Sequence, residues 1–362
     1  MNLKYYTLNY YKIVLFLVLN YLFYQNNLII SRQNSKNKKR IGIIGFPSDN
    51  NIGNNLVKYS IYILLKSYGF KPVLIVQKSK KDIYFLRKYI KITEIIDYNE
   101  LKEYDYDMLM VNSDQTWNYK IPNLLNIGFL YFAKDWNIPK FVYAASLGYD
   151  EWKPSKAKLN SAKDLVKKFS DISVREYGSI DRIYKKLGVK PKFVLDPTFL
   201  LDKSDYLKLI NDFEFNIDLR EKYFCIYILD KKEIIENFVQ EANLYLNYKI
   251  LNISCEVSKY IEKFIYSINI CKSVFTDSFH GTVFSMIFDK PFITFINSRR
   301  GIERFFSLNK TFDLKERIVF PKAFEKSDVD ILKSNPNIIN KEKFLILKSQ
   351  SYEYLKKNLG IA

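Results

Sequence analysis

The sequence predicts an α/β fold made of two Rossmann-like domains that face a cleft. Three observations predict it. Short apolar runs of strand character alternate with stretches of helical periodicity. The alternation occurs twice, on either side of a segment that lacks it. A chain of 362 residues, 48% of them hydrophobic, is also long enough to fill two cores.

The first series opens at residue 39. Residues 40–45 (Arg-Ile-Gly-Ile-Ile-Gly) read as a buried strand ending in glycine, and Leu56, Val57, Ile61, Leu64 and Leu65 then recur at helical spacing until Gly69 stops the helix. Strand, polar loop and helix form the opening unit of a Rossmann-like domain. Strands are expected at 73–76, 107–111, 140–145, 172–174 and 193–195, with a lysine-rich helix whose inner face is Leu165, Val166 and Phe169. Asp196-Pro197 closes this series, and the segment from 198 to about 220 is the expected linker. The second series begins with a strand at 223–229, then a helix at 233–246 and a strand at 249–253. A strand at 272–276, a helix at 281–287 and a strand at 291–295 follow. An amphipathic closing helix is expected over 341–359, before Gly360. The domain reading is therefore an N-terminal extension at 1–38, a first domain at 39–200, a second at 201–340 that carries the donor site, and a closing helix at 341–362.

Charge is lopsided, with 57 Lys and Arg against 39 Asp and Glu, a formal +18. That excess attracts phosphates, acidic glycans, nucleic acid or an anionic membrane face. Nucleic acid is disfavoured, because no zinc-finger spacing, aromatic RNP-like run or compact basic helix accompanies the charge. Cys225, Cys255 and Cys271 are odd in number and widely spaced, as in a reducing compartment. No C-x2-C pair accompanies them, so no metal site is expected. Residues 13–31 are uncharged and a basic cluster follows at Arg32, Lys36, Lys38, Lys39 and Arg40. Three readings fit: a signal anchor, a helix in the membrane interface, or an upstream extension. The expected location is cytoplasmic, with contact to the inner face of the plasma membrane through residues 1–40.

Four groups of residues carry chemistry. The strongest is Thr276-Asp277-Ser278-Phe279-His280-Gly281-Thr282, where a strand gives way to a helix around the sole histidine of the chain. An imidazole is suited to moving protons near neutral pH, and a strand-to-helix junction offers N–H groups to an anion. The alternative is a buried histidine satisfied by Asp277 or a hydroxyl. The second group is Asn112-Ser113-Asp114-Gln115-Thr116-Trp117-Asn118, again at a strand end. Asp114 can act as a base or orient a sugar hydroxyl, and Gln115, Trp117 and Asn118 are types suited to sugar binding. An Asx turn beside a core tryptophan explains them equally. The third is the loop from Gly45 to Asn55, where Asn51, Gly53 and Asn54 precede or open a helix that can hold an anion. It is neither a G-x-G-x-x-G fingerprint nor a P-loop. The fourth is Arg175, directly after a strand, and Arg304, with Arg299 and Arg300 nearby; each can grip a carboxylate or phosphate, or merely pair on the surface.

Taken in order, these pieces resemble the polysaccharide pyruvyl transferase family. The matches are Asn50 with Gly53 and Asn54; Asn112 to Asn118; Tyr143-Ala144-Ala145-Ser146-Leu147-Gly148; Ser173-Val174-Arg175-Glu176; Leu195-Asp196-Pro197-Thr198; Thr276 to Thr282; and Gly301 to Phe305. They cover about residues 40–310. The resemblance implies a glycosyltransferase B-like architecture, phosphoenolpyruvate as donor, and a glycan or lipid-linked sugar as acceptor in cell-surface or exopolysaccharide synthesis. No cofactor is implied. His280 is the implied general acid/base with Asp277 to orient it. Arg175, Arg304, Ser278, Gly281, Thr282, Asn51, Gly53 and Asn54 are expected at the donor, and Asp114, Gln115, Trp117 and Asn118 at the acceptor. One departure stands out: Phe279 precedes His280 where several members resemble an Arg-x-His pattern. A nucleotide-sugar glycosyltransferase on the same architecture is the alternative.

Overall fold

The computed structural model describes residues 38–45, 51–78, 83–213, 216–254, 261–334 and 341–361. The uncharged stretch at 13–31, residues 46–50 of the opening loop and Cys255 lie outside them.

Two parallel sheets organise the chain. The first has seven strands in the order β3-β2-β1-β4-β5-β6-β7: β1 (Arg40–Ile44), β2 (Lys71–Gln77), β3 (Ile92–Ile95), β4 (Met108–Val111), β5 (Lys140–Ala145), β6 (Asp171–Val174) and β7 (Lys192–Phe193). The second has five, in the order β12-β11-β10-β8-β9: β8 (Tyr223–Tyr227), β9 (Lys249–Asn252), β10 (Ser273–Thr276), β11 (Phe292–Phe295) and β12 (Ile318–Val319). Their central strands β4, β5 and β10 are buried throughout, as parallel strands covered on both faces must be.

Helices connect the strands. In the first domain they are α1 (Ile52–Ser67), α2 (Tyr84–Tyr89), α3 (Leu124–Gly128), α4 (Lys156–Leu165) and α5 (Tyr177–Leu187), with α6 (Lys203–Leu207) after the sheet. The second domain has α7 (Glu233–Leu246), α8 (Ile261–Ile270), α9 (Phe279–Ile287), α10 (Glu303–Phe312) and α11 (Asp328–Lys333), and α12 (Lys341–Leu359) closes the chain. Helix α1 starts where the Asn51 side chain accepts the Asn54 N–H at 3.0 Å and stops before Gly69, whose φ of +88° favours glycine.

The segment from 198 to 220 is not a loose linker. A 3₁₀ turn at Pro197–Leu200 and α6 dock on α1, with Phe199, Leu200 and Tyr206 buried. The Tyr206 hydroxyl donates to the Thr198 carbonyl at 2.7 Å and bonds Ser60 of α1 at 2.8 Å. Helix α12 returns to the first domain, where Ser351 accepts the Leu195 N–H at 2.9 Å and Tyr354 donates to the Val142 carbonyl at 2.7 Å. One apolar cluster accordingly contains Leu56 and Ile61 of α1, Val283 and Phe284 of α9, and Leu355 of α12. Cys225 and Cys271 are buried free thiols. Among the described residues, no helix is long and apolar enough to cross a membrane.

Candidate active site

In parallel sheets the chain leaves each strand at the same end, so residues that follow different strands meet there. Asp114 after β4, Arg175 after β6 and Asp196 after β7 converge in this way. Arg175 is almost fully buried, and three carboxylates surround it: Asp196 at 2.6 Å, Asp114 at 3.1 Å and Glu176 at 3.1 Å. Burial alone would lower its pKa, but the three anions more than reverse this and raise it. Burial pushes the Glu176 carboxyl up, against the pull of Arg175. Asp196, which burial alone would also raise, is held well below the usual range by His280 and Arg175. Asp114 (φ +80°) and Ala144 (φ +54°) occupy the left-handed region at this corner, a conformation that non-glycine residues adopt at a cost.

The second domain closes over the cluster. Phe279 lies on the Arg175 guanidinium, 4.6 Å from its carbon to the ring centroid. His280, in the first turn of α9, is 6% exposed; its Nε2 stands 3.9 Å from Asp196 and has no hydrogen-bond partner among the described residues. At that distance the contact is electrostatic and not a hydrogen bond. On the other side, the imidazole rests on Gly53 of α1: a Cβ there would stand 1.9 Å from Nδ1. The N-terminal ends of α1 and α9, capped by Asn51 and Ser278, thus meet at the histidine.

Several expected site residues have other tasks. Asp277 does not orient His280. Its oxygens accept the N–H groups of Leu229 (2.6 Å) and Asp230 (3.1 Å) and the Asn297 amide (2.7 Å), which ties together the loops after β8, β10 and β11. Burial raises its pKa. The carboxylate beside the imidazole is Asp196, which the sequence marked as the end of a strand series and as part of the Leu195–Thr198 match, without a role at the site. Trp117 is fully buried, stacks on Phe129 at 4.4 Å and donates to the Gly128 carbonyl at 2.9 Å, so it offers no face to a sugar. Asn118 is buried and donates to the Gln115 side chain at 2.9 Å; Gln115 is partly exposed. Thr282 spends its hydroxyl on the Ser278 carbonyl and on Thr294, and Gly281 faces the Thr276 hydroxyl, where a Cβ would stand 2.2 Å away. Arg175 cannot grip a donor while three carboxylates hold it.

Arg304 remains as a cation of the cleft. It is half-buried, and among the described residues no ion pair engages it and its Nε is unpartnered. Burial, followed by the nearby Arg175, lowers its pKa to about 10. It lines a small, partly open pocket with Ser146, Gly148, Asp150, Glu176 and Arg182. The two domains exchange helix caps around this cavity. Asp150 accepts the N–H groups of Ile302 (3.2 Å) and Glu303 (2.8 Å) at the start of α10. Glu303 in turn accepts the Gly178 N–H (3.0 Å) at the start of α5 and pairs with Arg182 at 3.0 Å.

The comparisons with known proteins agree with this geometry. A UDP-N-acetylglucosamine 2-epimerase from Neisseria meningitidis bound to UDP-N-acetylglucosamine superposes with a TM-score of 0.53 at 14% identity, over 88% of this chain and 100% of the other. Staphylococcus aureus MnaA with UDP gives 0.53 at 11%, over 90% and 98%. A Listeria monocytogenes protein assigned as a UDP-N-acetylglucosamine 2-epimerase gives 0.55 at 10%, over 90% and 98%. At such identities the likeness concerns the fold, which is glycosyltransferase B-like: two Rossmann-like domains facing a cleft. No curated protein matches the sequence. The family model for polysaccharide pyruvyl transferase matches residues 51–299, from the cap of α1 past His280 and Asn297, so that both walls of the histidine site fall inside the match. Covering well over half of the 362 residues, that match places the chain in the polysaccharide pyruvyl transferase family, a family of transferases.

Proposed function

We propose that the protein transfers the pyruvyl group of phosphoenolpyruvate to two hydroxyls of a sugar in a cell-surface glycan, forming a pyruvate ketal. One observation carries the reading beyond family membership: the Nε2 of His280 is buried beside a carboxylate and has no hydrogen-bond partner among the described residues. A histidine kept for structure would be satisfied, since buried polar atoms nearly always are. An unsatisfied one between two helix N-termini is suited to exchanging a proton with a bound anion.

In this reading His280 delivers a proton to the methylene carbon of the donor while a sugar hydroxyl attacks the neighbouring carbon. The bond from that carbon to the phosphate oxygen then breaks, phosphate leaves with the electron pair, and the second hydroxyl closes the ring. One hydroxyl proton is accounted for in the new methyl group and the other in the released hydrogen phosphate. Asp196 orients the imidazole and balances its charge. Arg304 holds the donor anion, with the α1 amides near Gly53 and the α9 amides near Ser278. Asp114 and Gln115 stand on the acceptor side. Arg175 is a positioning residue that locks the three carboxylates.

Phosphoenolpyruvate and UDP should be compared as thermal stabilisers of the full chain, and phosphate release followed with a pool of lipid-linked glycans. Stabilisation by phosphoenolpyruvate that Arg304→Met removes supports the assignment. Stabilisation by UDP alone, with a nucleotide sugar consumed and phosphoenolpyruvate untouched, replaces it with nucleotide-sugar glycosyl transfer on the same architecture.

A further inference from the structure

We infer that Asn112 binds the acceptor, its side-chain amide holding neighbouring hydroxyls of the sugar. The inference rests on the acceptor's being a sugar, as in the function proposed above. Asn112 is fully buried, and neither its Nδ2 nor its Oδ1 has a hydrogen-bond partner among the described residues. Every other polar side chain from Ser113 to Asn118 has one. Ser113 donates to the Ala144 carbonyl at 2.8 Å, Asp114 holds Arg175, Gln115 accepts from Asn118, and the Thr116 hydroxyl donates to the Asn112 carbonyl at 3.3 Å. Leaving both ends of a buried amide unsatisfied opposes folding, so the group calls for a reason beyond the fold.

Its place supplies that reason. The order of the first sheet turns between β1 and β4, with β2 and β3 beyond β1 and with β5, β6 and β7 beyond β4. In open parallel sheets substrates bind past the carboxyl ends of the strands at such a turning point. Asn112 is the first residue past β4, and its N–H bonds the carbonyl of Ile44, the last residue of β1, at 2.7 Å. The same corner leads to the histidine. The Ser113 hydroxyl also donates to Asp196 Oδ2 at 3.2 Å, and that oxygen stands 3.9 Å from His280 Nε2. Two buried side chains with unpartnered polar atoms, one from each domain, are thus linked through Asp196 and Ser113. Both are covered in this arrangement, so substrates reach them when the cleft opens.

The chemistry of the amide selects between the substrates. A primary amide offers two donors on Nδ2 and an acceptor on Oδ1. The carboxylate and phosphate oxygens of phosphoenolpyruvate would satisfy Nδ2 but set negative charge against Oδ1. Of two neighbouring hydroxyls, one can accept from Nδ2 while the other donates to Oδ1, and a pair of hydroxyls is what ketal formation consumes. The rival reading is a buried water that completes the amide and makes it part of the fold. The two readings differ in the sign of one substitution.

The test uses the full chain with Asn112→Leu, close to asparagine in size, and with Asn112→Ala in case leucine does not fit. Thermal unfolding is measured without substrate, and phosphate release from phosphoenolpyruvate is followed against the concentration of a pool of lipid-linked glycans. Asn112→Leu should unfold a few degrees above the wild type, because it removes unsatisfied groups. Both variants should need on the order of tenfold more glycan for half-maximal rate and keep the wild-type stabilisation by phosphoenolpyruvate. Lower midpoints in both variants assign the amide to the fold and overturn the inference, and so does an unchanged dependence on glycan. Lost stabilisation by phosphoenolpyruvate moves the amide to the donor and overturns it too. A wild type that ignores phosphoenolpyruvate and consumes a nucleotide sugar instead sinks the function proposed above, while the glycan dependence of that consumption still reads the role of Asn112.

Discussion

The Nδ1 atom of His280 occupies the space where a side chain at residue 53 would begin, 1.9 Å from the Cβ position of Gly53. The two residues belong to different domains, so the absence of a side chain on α1 is what lets the imidazole reach the first turn of that helix.

Gly53→Ala should therefore destabilise the protein, although alanine is the better helix former by about 1 kcal/mol. The clash costs about 1–3 kcal/mol by the measure of overpacked cores, and it displaces the imidazole. Thermal unfolding should show a lower midpoint, and phosphate release should fall by about 10²-fold or more. A variant more stable than the wild type would show that the contact is not made.

Asp196 and Asp277 should separate cleanly. Asp196 is held below its unfolded pKa, so the stability it contributes is present above about pH 4 and disappears as pH falls towards the folded value. Asp196→Asn should flatten the acid limb of a pH–stability curve and shift the pH profile of turnover. Asp277→Asn removes an acceptor from a buried loop tie and should cost about 1–3 kcal/mol while leaving the shape of the activity profile unchanged. A profile that follows Asp277 instead would restore it as the partner of His280.

The two cleft arginines predict opposite phenotypes. Arg175→Met leaves three buried carboxylates without their cation and should cost about 3–5 kcal/mol, read as a large loss of soluble, folded protein. Arg304→Met breaks no ion pair, so its unfolding midpoint should stay near that of the wild type while the Michaelis constant for phosphoenolpyruvate rises. An Arg304 variant with unchanged donor dependence would remove this residue from the donor site.

Asp150→Ala and Glu303→Ala each delete a helix cap that the other domain supplies, worth about 1 kcal/mol. Because the caps cross the cleft, small-angle scattering should also show a larger radius of gyration in the double variant. Unchanged scattering with both caps removed would mean that the shared apolar cluster alone sets the domain arrangement.

Strand and helix positions were legible because they follow from period and punctuation. The strand over 140–145 and the helices over 233–246 and 341–359 lie where hydrophobic spacing and the flanking Gly and Asn put them. Short or plain elements were not legible: β3, with only Ile95 buried, has no clear alternation, and β12 has two residues. The histidine motif stood out because His280 is unique, and Asp196 did not, because Asp-Pro also punctuates chains for purely local reasons.

The amino-acid order by itself determined the class of fold, the two β/α series, the family and the strand ends at which polar residues collect. Those are properties of neighbours along the chain, set by periodicity and backbone preference. Tertiary structure decided which carboxylate stands by His280, that Trp117 lies in the core, that Arg175 is occupied while Arg304 has no ion pair among the described residues, and that Phe279 covers a guanidinium. Each of these depends on contacts between residues up to more than a hundred positions apart, and pairing, burial and charge balance exist only once two sheets have been brought face to face.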